Sequence, residues 1–580
     1  MRSGLVVLAA IVLLLAVRLV QVQGLEPVAL ADHSGVELVR PVTLPAERGQ
    51  VLDRQGNPLA ISVAAKNIYA EPRTIAKATC QPGAVAPCDP ATIAAALAPM
   101  LGLVPAEVEA KLSQSNAFVY LKQGVDPALA QKVIDLELPG IGQETTTRRV
   151  HPSHDLAAGV LGFTDYAGLG KAGIELAMQK VLAGKDGKTI ARFDAAGRVI
   201  PTGSDSHLEP VPGKDVELTL DRDLQWYAQT LLAEQVANTQ ATNGTIIVMD
   251  IKTGELLALA TAPTFDPDNR RTGQLMGNPA LSDVYEPGSV NKVITAAAAL
   301  QAGIVTPQTV IEVPPTYQVS NTILHDAEKH GVEHLTFAGV IAKSSNIGTV
   351  KVAQQLGADR LYEMMRSFGF GSTTGLGLPG ESAGIIPKPA TWSGTSIANI
   401  PIGQGIAVNA LQVASVYATI AAGGIRVEPS IVKSTRDSAG HVVSAPAPQR
   451  RRVLTPEVAS SLRSILEAVV SEQGTAPKAA IPGYRVAGKT GTAQRVATTG
   501  PRAGRYDGSY TSSFVGMAPA DAPRFVTAVV LQGTGAKGYF GGQVAAPLFS
   551  QVMGFALRSF GVAPTGTTPP VLRLSIDPPR

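Results

Sequence analysis

The chain has 580 residues, 45% of them hydrophobic and only 16% charged, a balance that supports large cores and excludes general disorder. Its formal net charge is +3, and no basic cluster with interleaved aromatics occurs, so nucleic acid is excluded as a partner. Length alone allows about three or four domains; the order of elements points to two.

Met1-Arg2-Ser3-Gly4 leads into an unbroken apolar run over residues 5–17, followed by Arg18. With Arg18 snorkelling to the outer interface, residues 4–22 make about 28 Å of helix, close to the hydrocarbon thickness. Residues 1–24 are therefore expected to be a single-pass membrane anchor. The rival reading is a cleaved signal peptide, but its AxA-like site, Ala29-Leu30-Ala31, lies about a dozen residues past the apolar run, further than such sites usually sit. Both readings export everything after residue 24. Cys80 and Cys88 then bracket a short loop. Outside the cytoplasm it is a candidate disulfide, contributing about 2 to 3 kcal/mol on the chain-entropy model; two free thiols are the alternative.

Residues 44–60, with Gly56-Asn57 near the centre, read as a strand, a turn and a returning strand. By physics alone this is a surface hairpin whose Arg48, Asp53 and Arg54 are solvated. Pro210-Val211-Pro212-Gly213 breaks the chain ahead of an alternating strand over 216–220 and a helix from Asp221 that contains Trp226. A second domain is expected to start there. Residues 245–250 and 256–261 read as two strands joined by a tight turn, expected at a sheet edge.

Three short motifs follow in order: Ser289-Val290-Asn291-Lys292, Ser344-Ser345-Asn346 and Lys489-Thr490-Gly491-Thr492. An SxxK arises by chance about twice in a chain this long, and KTGT on the order of 1% of the time, so the ordered trio is the signal. Glu286-Pro287-Gly288 breaks the chain, Ser289 opens an apolar helix, and Lys292 shares its face. A helix N-terminus and burial both disfavour an ammonium, so Lys292 is a candidate neutral base for the serine proton, giving nucleophilic catalysis without histidine. The bland alternative is a helix cap and a solvated lysine. Residues 344–346 fall in a turn between helices, with three small polar side chains suited to a relay. Residues 489–493 read as an edge strand facing a cleft. There Gly491 lets a substrate backbone approach as an added strand, while Lys489 and the hydroxyls of Thr490 and Thr492 suit a peptide carboxylate.

His325-Asp326 with His330 and His334 lacks a metal-binding spacing. The glycines over 369–377 have the wrong spacing for a dinucleotide. No metal and no cofactor are expected. Gly403-Gln404-Gly405 is expected to pack near the site. Residues 512–518 and 524–531 repeat the hairpin logic, 546–560 form a last helix, and 563–580, rich in Pro and Thr, form a flexible extended tail.

Residues 48–60 spell RGxxxDRxGxxLA, which resembles the opening of the non-catalytic pedestal of class B penicillin-binding proteins. Gly162-Phe163, Gly173-Ile174-Glu175 and residues 182–187 resemble later segments of that domain. The ordered trio is the mark of penicillin-binding proteins and class A β-lactamases. The resemblance covers nearly the whole exported chain and is to the septal, FtsI-like type. It implies an α+β architecture of membrane anchor (1–24), elongated mixed α/β pedestal of the dimerisation type (25–210), transpeptidase domain (211–562) and tail (563–580). The transpeptidase domain is implied to be an antiparallel sheet flanked by helices, like the serine β-lactamases. The implied activity is D,D-transpeptidation. Ser289 is acylated, Ser344 passes a proton between Lys292 and the leaving or attacking nitrogen, Asn346 holds a substrate amide, and the amides of Ser289 and Thr492 form the oxyanion hole. The implied partners are peptidoglycan stem peptides, β-lactams, and other divisome membrane proteins. Because no segment resembles a glycosyltransferase, these include a SEDS-type, FtsW-like polymerase. An elongation role and a D,D-carboxypeptidase remain open; the pedestal and anchor argue against a β-lactamase or a β-lactam sensor.

Overall fold

A computed structural model describes residues 12–17, 39–77, 89–193, 199–200, 207–271, 276–497 and 503–576. Of the expected anchor only 12–17 is described, as helix, and no described helix is long and apolar enough to cross a membrane. Cys80 and Cys88 lie outside the described residues.

Two compact units divide the chain, one of Met1–Gly49 with Ala183–Lys214, the other of Gln50–Leu182 with Asp215–Arg580. In the first, Val39–Leu44 pairs antiparallel with Gly187–Phe193, and the Asp186 carboxylate accepts from the Ala46 amide at 2.8 Å. The second holds two cores. The smaller one lies among residues 68–141, where Ile68, Ile75, Ile93, Leu97, Leu101 and Val133 are buried. Its helices Pro90–Leu101 and Pro127–Ile134 each start with proline behind an aspartate whose carboxylate caps the first amides, the arrangement that a helix N-terminus favours.

Val51–Leu52 pairs antiparallel with Pro58–Ala70 and parallel with Asp215–Leu218, which itself pairs with Val432–Arg436. The expected surface hairpin at 44–60 is therefore corrected: Val51 and Asp53 are fully buried. Asp53 Oδ1 accepts from the amides of Gln55 and Asn57, and its Oδ2 from the Asn57 side chain. Arg54 lies 3.6 Å from Glu255 and 5.0 Å from the Phe560 ring centroid. The turn was legible locally, but the strands and side chains that cover it come from more than 150 residues away.

The larger core surrounds a five-stranded antiparallel sheet of β1 (Asn243–Asp250), β2 (Leu256–Ala262), β3 (Ala487–Val496), β4 (Tyr506–Ala518) and β5 (Phe525–Thr534), in the order β2-β1-β5-β4-β3. β2 is an edge strand as expected, whereas β1 lies one strand inside. All of β2 and almost all of β1 and β5 are buried on both alternating faces, so helices cover both sides of the sheet. These are α1 (Arg222–Thr239) and α7 (Ala546–Ser559), which touch each other and the sheet, and α5 (Ala410–Ala421), which packs on β1, β4 and β5. Every residue of α5 is buried, the signature of a helix inside a large domain. Its Asn409-Gln412 capping box satisfies two amides that no solvent reaches. The remaining helices used below are α2 (Lys292–Gln301), α3 (Phe337–Ala342), α4 (Asn346–Leu356) and α6 (Pro456–Val470).

The end of the chain is extended but not free. Leu574 is buried and its carbonyl accepts from Thr336, while the Ile576 amide donates to His334. The tail thus pairs through one antiparallel bridge, Ser575 with Leu335, beside residues 333–336 and immediately ahead of α3. Proline and threonine content suggested only an extended segment; the pairing depends on a distant strand. Gly339 of α3 faces this segment, and a Cβ there would fall well inside contact distance of the Leu574 carbonyl, 3.2 Å from Leu574 Cα. Gly339→Ala is expected to destabilise the protein by about 1 to 3 kcal/mol through overpacking, read as a lower urea midpoint at unchanged slope.

Candidate active site

Ser289 lies in a single 3-10 turn, Gly288–Asn291, that precedes α2, so the helix opens at Lys292 and not at the serine. The serine caps nothing: the residue is partly exposed and its hydroxyl makes no hydrogen bond among the described residues. This removes the bland alternative for Ser289. The turn is clamped from three sides. Gly288, at φ +58°, donates its amide to the Gly403 carbonyl at 3.0 Å. Asn291 Nδ2 and Thr295 Oγ1 donate to the carbonyls of Ile400 and Pro401, and the buried Tyr417 hydroxyl to that of Val290. On the third side β3 presses against the turn, with a Cβ at Gly491 meeting Ser513 Oγ and lying 3.0 Å from the Pro287 carbonyl. The small residue at 491 therefore seats the strand on the turn that carries Ser289, while β3 remains an edge strand of the sheet.

Lys292 is fully buried. Its Nζ donates to the Ser344 carbonyl at 2.6 Å, to Asn346 Oδ1 at 2.7 Å and to Ser344 Oγ at 3.2 Å. Burial pulls its pKa down to about 7, against the nearby charge of Asp326, which raises it. The solvated alternative for this lysine is thereby removed as well. Burial is the main cause of the shift; the helix N-terminus invoked from sequence is not needed.

Ser344 is one of few non-glycine residues at positive φ, +61°. The reason is local: the Ser345 amide donates to the Val340 carbonyl at 2.8 Å and the Ser344 amide to that of Ile341 at 3.2 Å. These are the two bonds of a Schellman motif ending α3, whose left-handed position normally takes glycine. A serine in this place carries backbone strain of the kind that accumulates at functional sites. Ser345 in turn caps α4 through the Gly348 amide.

Lys489, on β3, is also fully buried, and burial first and the proximity of Lys292 second hold its pKa well below the usual lysine range. Thr490 Oγ1 lies 2.8 Å from Thr475 Oγ1, and Thr492 Oγ1 accepts from the Gly541 amide at 3.1 Å. The structure thus brings Lys292, Ser344 and Asn346 into direct hydrogen bonding and sets Lys489 within electrostatic reach of them, while Ser289 stands beside this group without bonding to it.

Two side chains escaped the sequence reading. Glu286 is half-buried, its pKa raised by that burial; its Oε1 accepts from the Gly405 amide at 2.8 Å and its Oε2 from Tyr506 at 3.1 Å. It thereby ties Gly403-Gln404-Gly405 and β4 to the turn that carries Ser289. Asp326, considered only as a metal ligand, accepts from the amides of Asn346 and Ile347. Neither has a local signal, because each partner lies on another segment. Among the described residues no three His, Cys, Asp or Glu side chains converge as a metal site.

A serine backed by two buried lysines, at the edge strand of an antiparallel sheet flanked by helices, defines the class of penicillin-recognising serine enzymes. Residues 244–554 match the penicillin-binding protein transpeptidase domain and residues 43–218 the penicillin-binding protein dimerisation domain. With both domains, the chain belongs to the class B penicillin-binding proteins. Penicillin-binding protein PbpB of Mycolicibacterium smegmatis is 37% identical over 97% of this chain and 90% of its own length. Peptidoglycan D,D-transpeptidase FtsI of Escherichia coli K12 is 35% identical over 97% of this chain and 92% of its own. A solved structure of penicillin-binding protein 3 from Mycobacterium tuberculosis, complexed with aztreonam, superposes with a TM-score of 0.71 at 34% identity, covering 92% of this chain and 100% of that one.

Proposed function

We propose that this protein is a peptidoglycan D,D-transpeptidase of septal cell-wall synthesis and a β-lactam target, with Ser289 as its nucleophile. The observation that carries the reading is a fully buried Lys292, one turn after the half-exposed Ser289, with its Nζ bonded to Ser344 and Asn346.

Ser289 Oγ attacks the penultimate D-alanine carbonyl of a stem peptide and its proton passes to neutral Lys292. In the cationic lysine all three N–H groups are taken by the Ser344 carbonyl, Ser344 Oγ and Asn346 Oδ1; deprotonation frees a lone pair, and Ser344 Oγ, the longest contact, is the partner that reorients. The proton then travels through Ser344 to the leaving D-alanine nitrogen as the C–N bond breaks. Lys489, Thr490 and Thr492 hold the terminal carboxylate. An arriving carboxylate favours the charged form of Lys489, and that charge in turn favours neutral Lys292, so substrate binding prepares the base. The amides of Ser289 and Thr492 hold the developing oxyanion, each such donor being worth about 2.7 to 4 kcal/mol in the transition state. An amine on a neighbouring stem peptide then displaces Ser289 and forms the crosslink. β-Lactams imitate the dipeptide and arrest at the acyl-enzyme.

The apolar run over 5–17 supports a membrane anchor that leaves the catalytic domain outside the cytoplasm. Glycan polymerisation then belongs to a SEDS-type partner, with other divisome proteins around it. The test is intact mass of the full chain in detergent after mixing with benzylpenicillin, compared with Ser289→Ala. A persistent adduct in wild type and none in the variant is expected. Adduct in the variant removes Ser289 as nucleophile, and rapid adduct loss with drug hydrolysis makes the protein a β-lactamase.

A further inference from the structure

The Lys292 site rests on Asn346, and Asn346 is held from outside the three motifs. Its Oδ1 accepts from Lys292, its Nδ2 donates to the His325 carbonyl at 2.8 Å, and its backbone amide donates to Asp326 Oδ1 at 2.6 Å. The same carboxylate oxygen accepts from the Ile347 amide at 3.0 Å. Asn346 and Ile347 are the first two residues of α4. Their amides are two of the donors that a helix leaves unpaired, and a carboxylate there also meets the positive end of the helix dipole. The next amide, Gly348, is taken by Ser345 Oγ. The start of α4 is thus fixed by two side chains, one internal to the turn and one carried in from residue 326.

The other carboxylate oxygen, Oδ2, lies 3.3 Å from His330 Nε2, and the two side chains are only 12% and 10% exposed. His330 Nδ1 donates to the Gly331 carbonyl at 2.6 Å. Among the described residues the charge that acts on Lys292 is that of Asp326, which favours the ammonium, and Lys292 in turn helps to hold Lys489 low. The titratable groups facing Asp326 are Lys292 and His330. Lys343, at the end of α3, is paired with Glu333 at 3.6 Å.

We propose that Asp326 is a positioning residue for acyl transfer: its carboxylate pins the first two amides of α4, so fixing the asparagine on which Lys292 rests, and supplies the negative charge that faces this lysine. The inference rests on Lys292 being the base proposed above. A carboxylate with this placement does two separable things. As an acceptor it sets geometry, which an amide oxygen in the same place reproduces. As an anion it sets how readily Lys292 gives up its proton, which an amide does not reproduce.

The experiment follows the acylation rate of the full chain by benzylpenicillin against pH, in wild type, Asp326→Asn and Asp326→Ala, with thermal unfolding of each across the same range. Asp326→Asn is expected to keep a plateau rate within about threefold of wild type while the acid limb moves to lower pH, because loss of the anion makes Lys292 easier to deprotonate. Asp326→Ala is expected to show the same direction of shift and to lose about 10- to 100-fold of the plateau rate through misplacement of Asn346. Unchanged midpoints in both variants overturn the proposal, as does a loss of rate that merely follows the folded fraction. Unfolding provides a readout independent of acylation. In wild type the part of the rise of stability with pH that Lys292 contributes begins near pH 7, its folded pKa, and in Asp326→Asn that part is expected to begin at lower pH. If wild type forms no adduct, the catalytic reading fails, while the unfolding curves still decide whether Asp326 acts on Lys292.

Discussion

Replacing Lys292 by methionine is expected to slow acylation of Ser289 by benzylpenicillin about 10³-fold near neutral pH, within the range that a positioned general base contributes. Methionine fills a similar volume in the fully buried position, but its thioether is far too weak a base to take the serine proton. The pH profile separates this cause from a packing defect. Lys292 acts as a base only when neutral, and its pKa is about 7, so wild-type acylation is expected to rise about tenfold per unit below that pH and to level above it. The methionine variant keeps no such limb. Its stability curve changes as well. The unfolded chain holds the lysine proton up to the ordinary lysine range, whereas the folded chain releases it near pH 7; stability therefore climbs with pH between the two values, and Lys489 adds a contribution of the same sign. Lys292→Met is expected to flatten part of that climb. A variant that acylates at the wild-type rate with an intact acid limb excludes Lys292 as the base.

Gly403→Ala is expected to reduce acylation by about 100-fold or more, although residue 403 has no part in the chemistry. A Cβ there would collide with the Gly288 carbonyl and lie 2.6 Å from the Gly288 nitrogen, at a backbone φ of +83°. The left-handed conformation alone costs an alanine about 1 to 2 kcal/mol. The collision adds to this by displacing the turn that carries Ser289, and a shift of about 1 Å at a reacting atom is worth about 10²-fold in rate. Gly423→Ala is the control, because its φ is +67° and nothing lies within 4 Å of an added Cβ. It bears the backbone penalty without the collision. Equal acylation losses in the two variants would mean that backbone strain, and not the Gly288 contact, is what matters.

The three motifs of the candidate site were legible because each resides in a short segment. Ser289 and Lys292 are three residues apart, Ser344 and Asn346 two, and the KTGT strand is continuous, so residue type and spacing alone mark the groups that the structure brings together around Lys292. The strands around 245–261 and the last helix were legible for the same reason, since their signals are periodicity and turn residues. Only the tertiary structure decided what surrounds these segments. Lys292 loses its proton readily because the fold buries it, and Lys489, nearly 200 residues on, is held low by its own burial and by Lys292. Ser344 takes a glycine's conformation because α3 ends there in two specific carbonyl bonds, and residue 491 is small because the turn that carries Ser289 packs against it. Glu286, Asp326 and Gly403 act through partners on other segments, as does the tail against 333–336. A chain read one residue at a time carries the chemical groups; desolvation, charge coupling and steric fit belong to pairs that only folding brings together.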